Sequence, residues 1–304
     1  LKRNEKMGKE IFTIEKTESG AVFLKIDPLD SRYPVKTFFT SKNGGCSEGS
    51  FASLNMGFAT GDRREAVEEN RRRIFDFIGE PGYCEAVPYQ VHRAEIACIR
   101  SDGGRLIPEG GGDPDNILRQ EAGEGERRGC RLSFSDTDAL VTDARNVILT
   151  SLHADCIPVW LYDPVRHAAG LAHAGWRGTR ADIAALTAEK MCSEFGCRRE
   201  DLQAFIGPGI SRCCFETGPE VAKEFAEMIG QDLFYGNDGK FCIDDGNGKY
   251  HLDLKNINRY LLERAGIVQI ASTEYCTCCS RELFYSYRRE KGVTGRMCAG
   301  IVLL

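Results

Sequence analysis

Three short apolar runs follow one another in the middle of the chain, and they occupy residues 147–152, 157–162 and 168–172. Each run is typical of a strand, and Asp163-Pro164 predicts a turn between the second and the third. Amphipathic patterns predict helices over residues 181–195, Arg64–Ile78, Pro219–Ile229 and Leu254–Arg264. Because strands and helices alternate irregularly, the sequence predicts one mixed-sheet α/β domain instead of a regular βαβ array.

Two further stretches affect the domain organisation. Residues 11–26 predict a β-hairpin with its turn at Ser19-Gly20. Residues 101–130 are dominated by Gly, Pro, Asp, Glu and Arg, which is typical of an exposed loop. Residues 88–99, before this stretch, are strand-like, and strand-like sequence resumes directly beyond residue 130. We therefore expect an inserted loop at 101–130 and no domain boundary there.

Charge and cysteine usage exclude some classes of protein. The chain has 304 residues and a formal net charge of −5, which gives no basic surface for nucleic acid. It contains no apolar run long enough to cross a membrane, and its first residues do not resemble a secretory signal. Fourteen cysteines in so long a chain predict thiols packed in a reducing cytoplasm. The sequence leaves the oligomeric state open.

The chain has five histidines, and the sequence places three of them beside strand ends, namely His92, His153 and His173. Together, His92, Cys156 and His173 offer two imidazoles and one thiolate. Three protein ligands with a fourth position left open are typical of a catalytic zinc site, which activates a water or polarises an oxygen. The wide spacing of these residues equally allows a buried thiol and two histidines bonded to backbone carbonyls.

The same side chains allow two other sites. Cys156 and His173 are candidates for a thiolate–imidazolium nucleophile with Asp155 as orienting group, although strand alternation would point Asp155 away from Cys156. Two histidines, one cysteine and a distant methionine would also suit copper. Five histidines are too few for the additional three-copper cluster of a conventional laccase.

Two cysteine-containing motifs are weaker. Gly45-Cys46-Ser47-Glu48-Gly49 matches the esterase pattern G-x-S-x-G, but the sequence after it does not predict the required helix. Cys276-Thr277-Cys278-Cys279 contains one C-x-x-C, and Cys213-Cys214 are adjacent. Without a second C-x-x-C pair the sequence favours packing thiols, and a non-enzymatic metal-binding protein that uses these five cysteines is the alternative.

The segments that carry a resemblance to a known family are Ser53-Leu54-Asn55-Met56-Gly57, Gln90-Val91-His92, Asp136-Thr137-Asp138-Ala139-Leu140-Val141-Thr142, Ala154-Asp155-Cys156-Ile157-Pro158-Val159, Ala172-His173-Ala174-Gly175-Trp176-Arg177-Gly178, Ile206-Gly207-Pro208-Gly209-Ile210, Cys214-Phe215-Glu216-Thr217-Gly218, Leu252-Asp253-Leu254, Phe284-Tyr285-Ser286-Tyr287-Arg288-Arg289 and Gly295-Arg296. In this order they resemble the YfiH-like laccase-domain family, whose members are also called polyphenol oxidases or purine nucleoside phosphorylases. The resemblance implies a catalytic domain over residues 35–304, with residues 1–34 as a hairpin region packed on it.

The resemblance also implies a four-layer α/β/β/α sandwich and one zinc per chain, held by His92, Cys156 and His173. It implies phosphorolysis of adenosine, inosine and methylthioadenosine, with adenosine deamination as a second activity. A purine nucleoside and phosphate would then be the partners. A copper-loaded polyphenol oxidase remains an alternative, as does a cysteine hydrolase or amidase of the peptidoglycan-precursor editing type.

Cationic and polar side chains are candidates for binding the substrate. Lys42 and Arg177 are predicted to hold phosphate, and Arg177 also lies beside His173 in a glycine-rich turn. Asn55 and Arg288 are predicted to position the nucleoside. Lys42 stands where relatives usually have arginine, and His153 where threonine is common, so both residues bear on substrate preference.

Overall fold

The computed structural model describes residues 11–110, 117–121, 123, 127–236 and 239–304. Its strands in chain order are β1 (Phe12–Lys16), β2 (Val22–Ile26), β3 (Val35–Thr40), β4 (Tyr83–Pro88), β5 (Ile96–Asp102), β6 (Arg105–Glu109), β7 (Ile117–Glu121), β8 (Arg128–Phe134), β9 (Ala139–Thr142), β10 (Val147–His153), β11 (Ile157–Asp163), β12 (Ala168–Ala174), β13 (Gln203–Ile206), β14 (Glu216–Thr217), β15 (Cys242–Asp244), β16 (Tyr250–Leu252), β17 (Gln269–Ser272) and β18 (Met297–Leu303). Its α-helices are α1 (Asp27–Asp30), α2 (Arg64–Ile78), α3 (Trp176–Arg180), α4 (Ile183–Phe195), α5 (Pro219–Ile229), α6 (Gln231–Gly236) and α7 (Leu254–Arg264).

Two large mixed sheets contain most of the strands. The order is β1-β2-β3-β18-β10-β4-β8-β7 in one sheet and β17-β13-β11-β12-β9-β5-β6 in the other. Strands β14, β16 and β15 form a small third sheet. The hairpin of β1 and β2 extends the first sheet, because β2 pairs with β3. The prediction of a mixed-sheet α/β domain is therefore confirmed.

Three apolar clusters separate the layers. Neighbouring residues of a strand alternate between clusters: Phe39 faces the cluster between the two sheets, whereas Phe38 packs with helix α2. In the second sheet, Trp160 faces the first sheet, and Leu161 packs with helices α4, α5 and α7. The apolar runs are continuous because the strands are buried on both faces.

The segment 88–99 is not one strand. Strand β4 ends at Pro88 and β5 begins at Ile96, and His92 between them has a φ of 63°. The backbone N–H groups of Val91, His92 and Arg93 donate to the carboxylate of Asp138 instead of to a neighbouring strand. A buried carboxylate has thus replaced the ladder partners that a strand would need.

The prediction of an irregular loop at 101–130 is wrong for the residues described there. Strands β5 and β6 pair around a turn at Gly103-Gly104, and β7 pairs with β8. Because β6 and β7 are the outer strands of the two sheets, they tolerate the charged sequence that a central strand would exclude. Residues 111–116, 122 and 124–126 of the predicted loop lie outside the described residues.

The cysteines are mostly free thiols, as the sequence predicts. One pair, Cys84 and Cys130, lies directly opposite on the parallel strands β4 and β8 and forms a disulfide. The other twelve are unbonded. No helix in the described part of the chain has the length and apolarity of a bilayer-crossing segment.

Candidate functional site

A cavity of about 710 Å³ opens where several strand ends meet. Its walls come from residues 57–60, 87–92, 154–156, 175–177 and 287–288, together with His173 and Arg296. The wall is more apolar than polar. Such a pocket, with few polar groups converging on one point, is typical of a small-molecule site.

His92, Cys156 and His173 come together at this cavity. Their ligand atoms, one from each side chain, all lie within 4.8 Å of one another. His92 is exposed in the turn between β4 and β5, Cys156 precedes β11, and His173 is buried in β12. We call these three residues the histidine–cysteine cluster. The residues that the sequence singles out for a metal are thus neighbours in the structure.

Asp138 fixes the side chain of His173 and the backbone of His92. It is fully buried, and its Oδ1 accepts from His173 Nδ1 at 3.1 Å and from the backbone N–H of His92 at 2.9 Å. Because a carboxylate accepts, His173 carries its proton on Nδ1 and directs Nε2 into the cluster. A carboxylate behind a histidine is the arrangement that orients metal-ligating imidazoles.

His153 is buried beside the cluster but is already hydrogen-bonded at both ring nitrogens. Its Nδ1 donates to the carbonyl of Cys156 at 3.0 Å, so its Nε2 accepts from the hydroxyl of Ser151 at 2.7 Å. Burial, with the nearby charge of His173, lowers the pKa of His153 well below its usual value. His153 is therefore a neutral neighbour of the cluster with no nitrogen lone pair left for a metal.

Cys156 and His173 shift each other's protonation in the metal-free chain. Burial alone would raise the pKa of the Cys156 thiol, but the charge and hydrogen bond of His173 and a hydrogen bond from His92 lower it to about 6. Burial would lower the pKa of His173, but the Cys156 thiolate and the Asp138 carboxylate raise it to about 9. Between these two values the pair is a thiolate and an imidazolium.

Asp155 does not orient His173. Its carboxylate accepts from Thr277 Oγ1 at 2.7 Å, Ser286 Oγ at 3.0 Å and the backbone N–H of Arg288 at 2.7 Å. Asp155 has a φ of 87°, which turns its side chain away from that of Cys156. The predicted catalytic role of Asp155 in a cysteine–histidine pair is wrong, because Asp138 occupies that place.

Four arginines line the cavity, and one of them, Arg71, is buried in an ion pair with Glu85. The guanidinium of Arg177 lies over the Trp176 ring at 4.3 Å and makes no hydrogen bond or ion pair with any described residue. Arg288 donates to the carbonyls of Cys214 and Glu216, which fixes its position at the rim. Arg296 donates to the carbonyls of Thr294 and Gly295. The guanidinium of Arg177 is the one best placed to meet an anion.

The structure does not bring Lys42 and Asn55 into the cavity wall. Asn55 is fully buried, its amide donates to Gly57, Thr60 and Asp62, and its oxygen accepts from the backbone N–H of Gly57 and Arg296. The polar atoms of the Asn55 side chain are thus engaged by protein groups, and this side chain holds the backbone of Gly57 and Arg296, which line the cavity. The backbone of Lys42 bonds to the 53–54 segment and to Leu283.

Two residues at the site are not among the sequence-predicted ones. Asp138 precedes β9 and Arg296 precedes β18. Their only signal in the sequence is that both lie in segments that carry the family resemblance, without an assigned role. The esterase motif fails, because Ser47 is buried and accepts from Asn70 Nδ2, and only a short 3₁₀ turn follows it.

Comparison with known proteins gives consistent matches. A family model described as "Multi-copper polyphenol oxidoreductase laccase" matches residues 36–304. Purine nucleoside phosphorylase YlmD of Geobacillus stearothermophilus is 33% identical over 264 residues, which is 86% of this chain and 88% of that protein. A protein from Bacteroides thetaiotaomicron, also named purine nucleoside phosphorylase, is 32% identical to this chain, and the match covers 92% of this chain and 96% of that protein. The crystal structure of YlmD from Geobacillus stearothermophilus superposes with a TM-score of 0.77 at 31% identity, covering 96% of this chain and 98% of that one.

Proposed function

This chain belongs to the multi-copper polyphenol oxidoreductase laccase family, and from that premise we propose that it is a zinc-dependent purine nucleoside phosphorylase. The names of its relatives support an enzyme of this general kind. The observation that carries the proposal is the shared cavity of the histidine–cysteine cluster and Arg177. Adenosine, inosine and methylthioadenosine are the proposed substrates, with adenosine deamination as a second activity.

The donor set of the histidine–cysteine cluster fits zinc. Two imidazoles and one thiolate are ligands that zinc prefers, and three protein ligands leave one position open toward the cavity. Asp138 already fixes the Nδ1 proton of His173, which leaves Nε2 as the ligand atom. We assign one zinc per chain to these three residues, and when bound it supplies a Lewis acid that polarises a substrate oxygen.

The chain's own residues bind and orient the two substrates. Phosphorolysis breaks the bond between the sugar's anomeric carbon and the purine nitrogen, and a phosphate oxygen bonds to that carbon. Arg177 holds the phosphate, because a guanidinium matches two of its oxygens and this one has no described polar partner. Arg288 at the rim and the aromatic side chains of Phe58 and Tyr287 bind the nucleoside. Fixing both reactants in one pocket is a large source of acceleration.

Chromatography of the products from adenosine, with and without phosphate, tests the function. We expect free adenine only when phosphate is present, and inosine in either tube if the deaminase activity exists. Zinc content is measured on the same sample. No turnover in either tube, with one zinc confirmed at the histidine–cysteine cluster, would overturn the nucleoside proposal.

The two predicted phosphate ligands are separated by matched variants. Arg177→Gln should raise the KM for phosphate about tenfold or more, because a hydrogen bond to a charged group contributes about 1.5–3 kcal/mol and about 1.4 kcal/mol is a factor of ten. Lys42→Gln should leave that KM unchanged, since Lys42 does not line the cavity. An equal effect of both substitutions would contradict the assignment to Arg177.

A cysteine hydrolase is the second candidate, and the lowered pKa of Cys156 beside His173 favours it. A chelator separates the two functions, because it should abolish the phosphorylase and spare the hydrolase. Iodoacetamide on the metal-free protein should abolish the hydrolase at Cys156. A copper-loaded polyphenol oxidase is the third candidate, and the family's description is what favours it. Oxidation of a phenol by the copper-loaded protein, with no turnover of nucleosides, would decide for it.

The many free thiols suit a reducing compartment, and we propose that the enzyme works in the cytoplasm.

A further inference from the structure

Four cysteines that the proposed function does not use converge on one side of the fold. Strands β13 and β17 run parallel, and a bridge between Gly209 and Cys276 continues their pairing beyond both strands. The two loops that follow are therefore held side by side. One loop carries Cys213 and Cys214, and the other carries Cys276 and Cys279. We call these the four-cysteine cluster.

The sulfur positions suit a single metal ion. The Sγ atom of Cys279 lies 3.6 Å from that of Cys213 and 3.4 Å from that of Cys214, and the four ligand atoms all lie within 4.8 Å of one another. Four sulfurs placed tetrahedrally at about 2.3 Å from zinc are about 3.8 Å apart. All four thiols are unbonded, and the two short contacts are longer than the roughly 2.05 Å of a disulfide.

A backbone donor points at one of the sulfurs. The N–H of Ser211 donates to Cys276 Sγ at 3.4 Å. Amides that stabilise a thiolate are part of the surroundings that a bound metal needs.

Two cations hold the second loop from outside the cluster. Lys255 is buried and donates to the carbonyls of Thr273 and Tyr275, directly before Cys276. Arg289 donates to the carbonyls of Thr277 and Cys278. Four thiolates around a divalent ion carry a net charge of −2, which nearby cations would offset.

We propose that the four-cysteine cluster is a structural zinc site, separate from the histidine–cysteine cluster. Four thiolates close the coordination sphere, so no position is left for a substrate. Each zinc–sulfur bond replaces a sulfur–hydrogen bond, and the displaced protons pass to the solvent. No electron transfer is involved.

The proposed zinc site would stabilise the wall of the cavity of about 710 Å³. Arg288 donates to the carbonyl of Cys214, and Thr277 lies between two of the cysteines and donates to Asp155. Zinc in the four-cysteine cluster would therefore hold both loops against the rim that carries Arg288. We expect it to stabilise the fold and to leave the chemistry of the cavity unchanged.

Zinc content of the full chain, purified under reducing conditions, tests the proposal. We expect two zinc ions in the unsubstituted protein, and one each in Cys156→Ala and in the double variant Cys213→Ser/Cys279→Ser. Cys278→Ser is the matched control, because Cys278 lies in the same loop outside the cluster, and it should keep two. A double variant with the same zinc content and melting temperature as the control would overturn the proposal.

A second measurement tests the site even if the double variant fails to fold. Cys156→Ala is stripped of metal and titrated with Zn²⁺ or Co²⁺ while a thiol reagent counts the accessible cysteines. We expect one ion to protect the thiols of the four-cysteine cluster, and cobalt to give the absorption of tetrahedral thiolate coordination. Unprotected thiols at saturating zinc would refute the site. Because Cys156→Ala lacks the first cluster, this result does not depend on the proposed enzymatic function.

Discussion

The histidine–cysteine cluster and the four-cysteine cluster are built differently. The first stands at strand ends and a turn, is fixed from behind by one buried carboxylate, and faces a cavity of about 710 Å³. The second joins two loops and has two of its thiols exposed on the surface. Three mixed ligands beside a pocket leave room for a substrate, whereas four sulfurs fill a coordination sphere. The surroundings of a cluster of metal-binding residues, more than its ligand atoms, therefore determine its chemical role.

The thiols of the two clusters differ in charge as well. The imidazolium of His173 is the main influence that lowers the pKa of Cys156 against the effect of burial. In the four-cysteine cluster, desolvation and the neighbouring sulfurs Cys279 and Cys276 raise the pKa of Cys213 to about 12. A thiolate beside a cation is ready to react, whereas the thiol of Cys213 stays protonated at neutral pH in the metal-free protein.

Removing the thiol of the first cluster should have the largest effect. Cys156→Ala should lower phosphorolysis about a thousandfold or more, because a catalytic metal contributes several kcal/mol and about 1.4 kcal/mol is a factor of ten. One zinc per chain should be lost with it. Steady-state rates and zinc content are the measurements, and Cys192→Ala, in helix α4 outside both clusters, is the control. Full activity with full zinc content in Cys156→Ala would remove the first cluster from the mechanism.

Alkylation of the metal-free protein should contrast the two clusters directly. At pH 7, Cys156 is mostly thiolate and Cys213 almost entirely thiol, so Cys156 should react about a hundredfold faster, after allowance for the greater nucleophilicity of the more basic thiolate. Because the pKa of Cys156 is lowered to about 6, its rate should rise as the pH passes upward through that value.

Mass spectrometry of iodoacetamide-treated protein gives both rates. Zinc added beforehand should protect Cys156. Faster alkylation at the exposed Cys213 than at Cys156 would mean that exposure, and not the charge of His173, controls reactivity.

Removing the carboxylate of Asp138 should lower zinc affinity and activity less than removing a ligand of the histidine–cysteine cluster does. Asp138→Asn keeps the shape but loses the charge that fixes His173, and substitutions of such supporting groups lower metal affinity or activity about 10- to 100-fold. Zinc affinity and the rate of phosphorolysis are measured together. Asp136→Asn is the matched control, because Asp136 is exposed in the same segment. Equal losses in both variants would show that Asp138 has no special role.

The difference between the clusters also marks what the sequence predicts. Strands buried on both faces and helices with a clear apolar stripe follow from local pattern. Residue chemistry offers His92, Cys156 and His173 as one candidate set among others, and the family resemblance singles them out. The sequence does not predict that the two cysteine loops converge, because their convergence depends on the parallel pairing of β13 with β17 across a long stretch of chain. The direction of Asp155 depends on a positive φ that only the surrounding hydrogen bonds explain.

The hydroxyl that joins the two regions should have the smallest effect on turnover. Thr277 is buried between Cys276 and Cys278, and its hydroxyl donates to Asp155, the residue that holds the backbone of Arg288. Thr277→Val keeps the side-chain shape and leaves one oxygen of Asp155 without that donor, which should lower the free energy of unfolding by about 1–3 kcal/mol. Activity should fall only a few-fold, mainly through a higher KM for the nucleoside, because Arg288 is displaced while the histidine–cysteine cluster is intact.

Denaturant unfolding and steady-state kinetics measure the two effects of this substitution. Thr273→Val is the control, since Thr273 is also buried in this part of the chain but its hydroxyl accepts from Tyr275 and does not touch Asp155. If Thr277→Val changed kcat as strongly as Asp138→Asn does, the two clusters would act as one catalytic unit. A change confined to stability and nucleoside KM would instead keep the four-cysteine cluster in a supporting role, with Asp155 carrying its influence to the rim of the cavity.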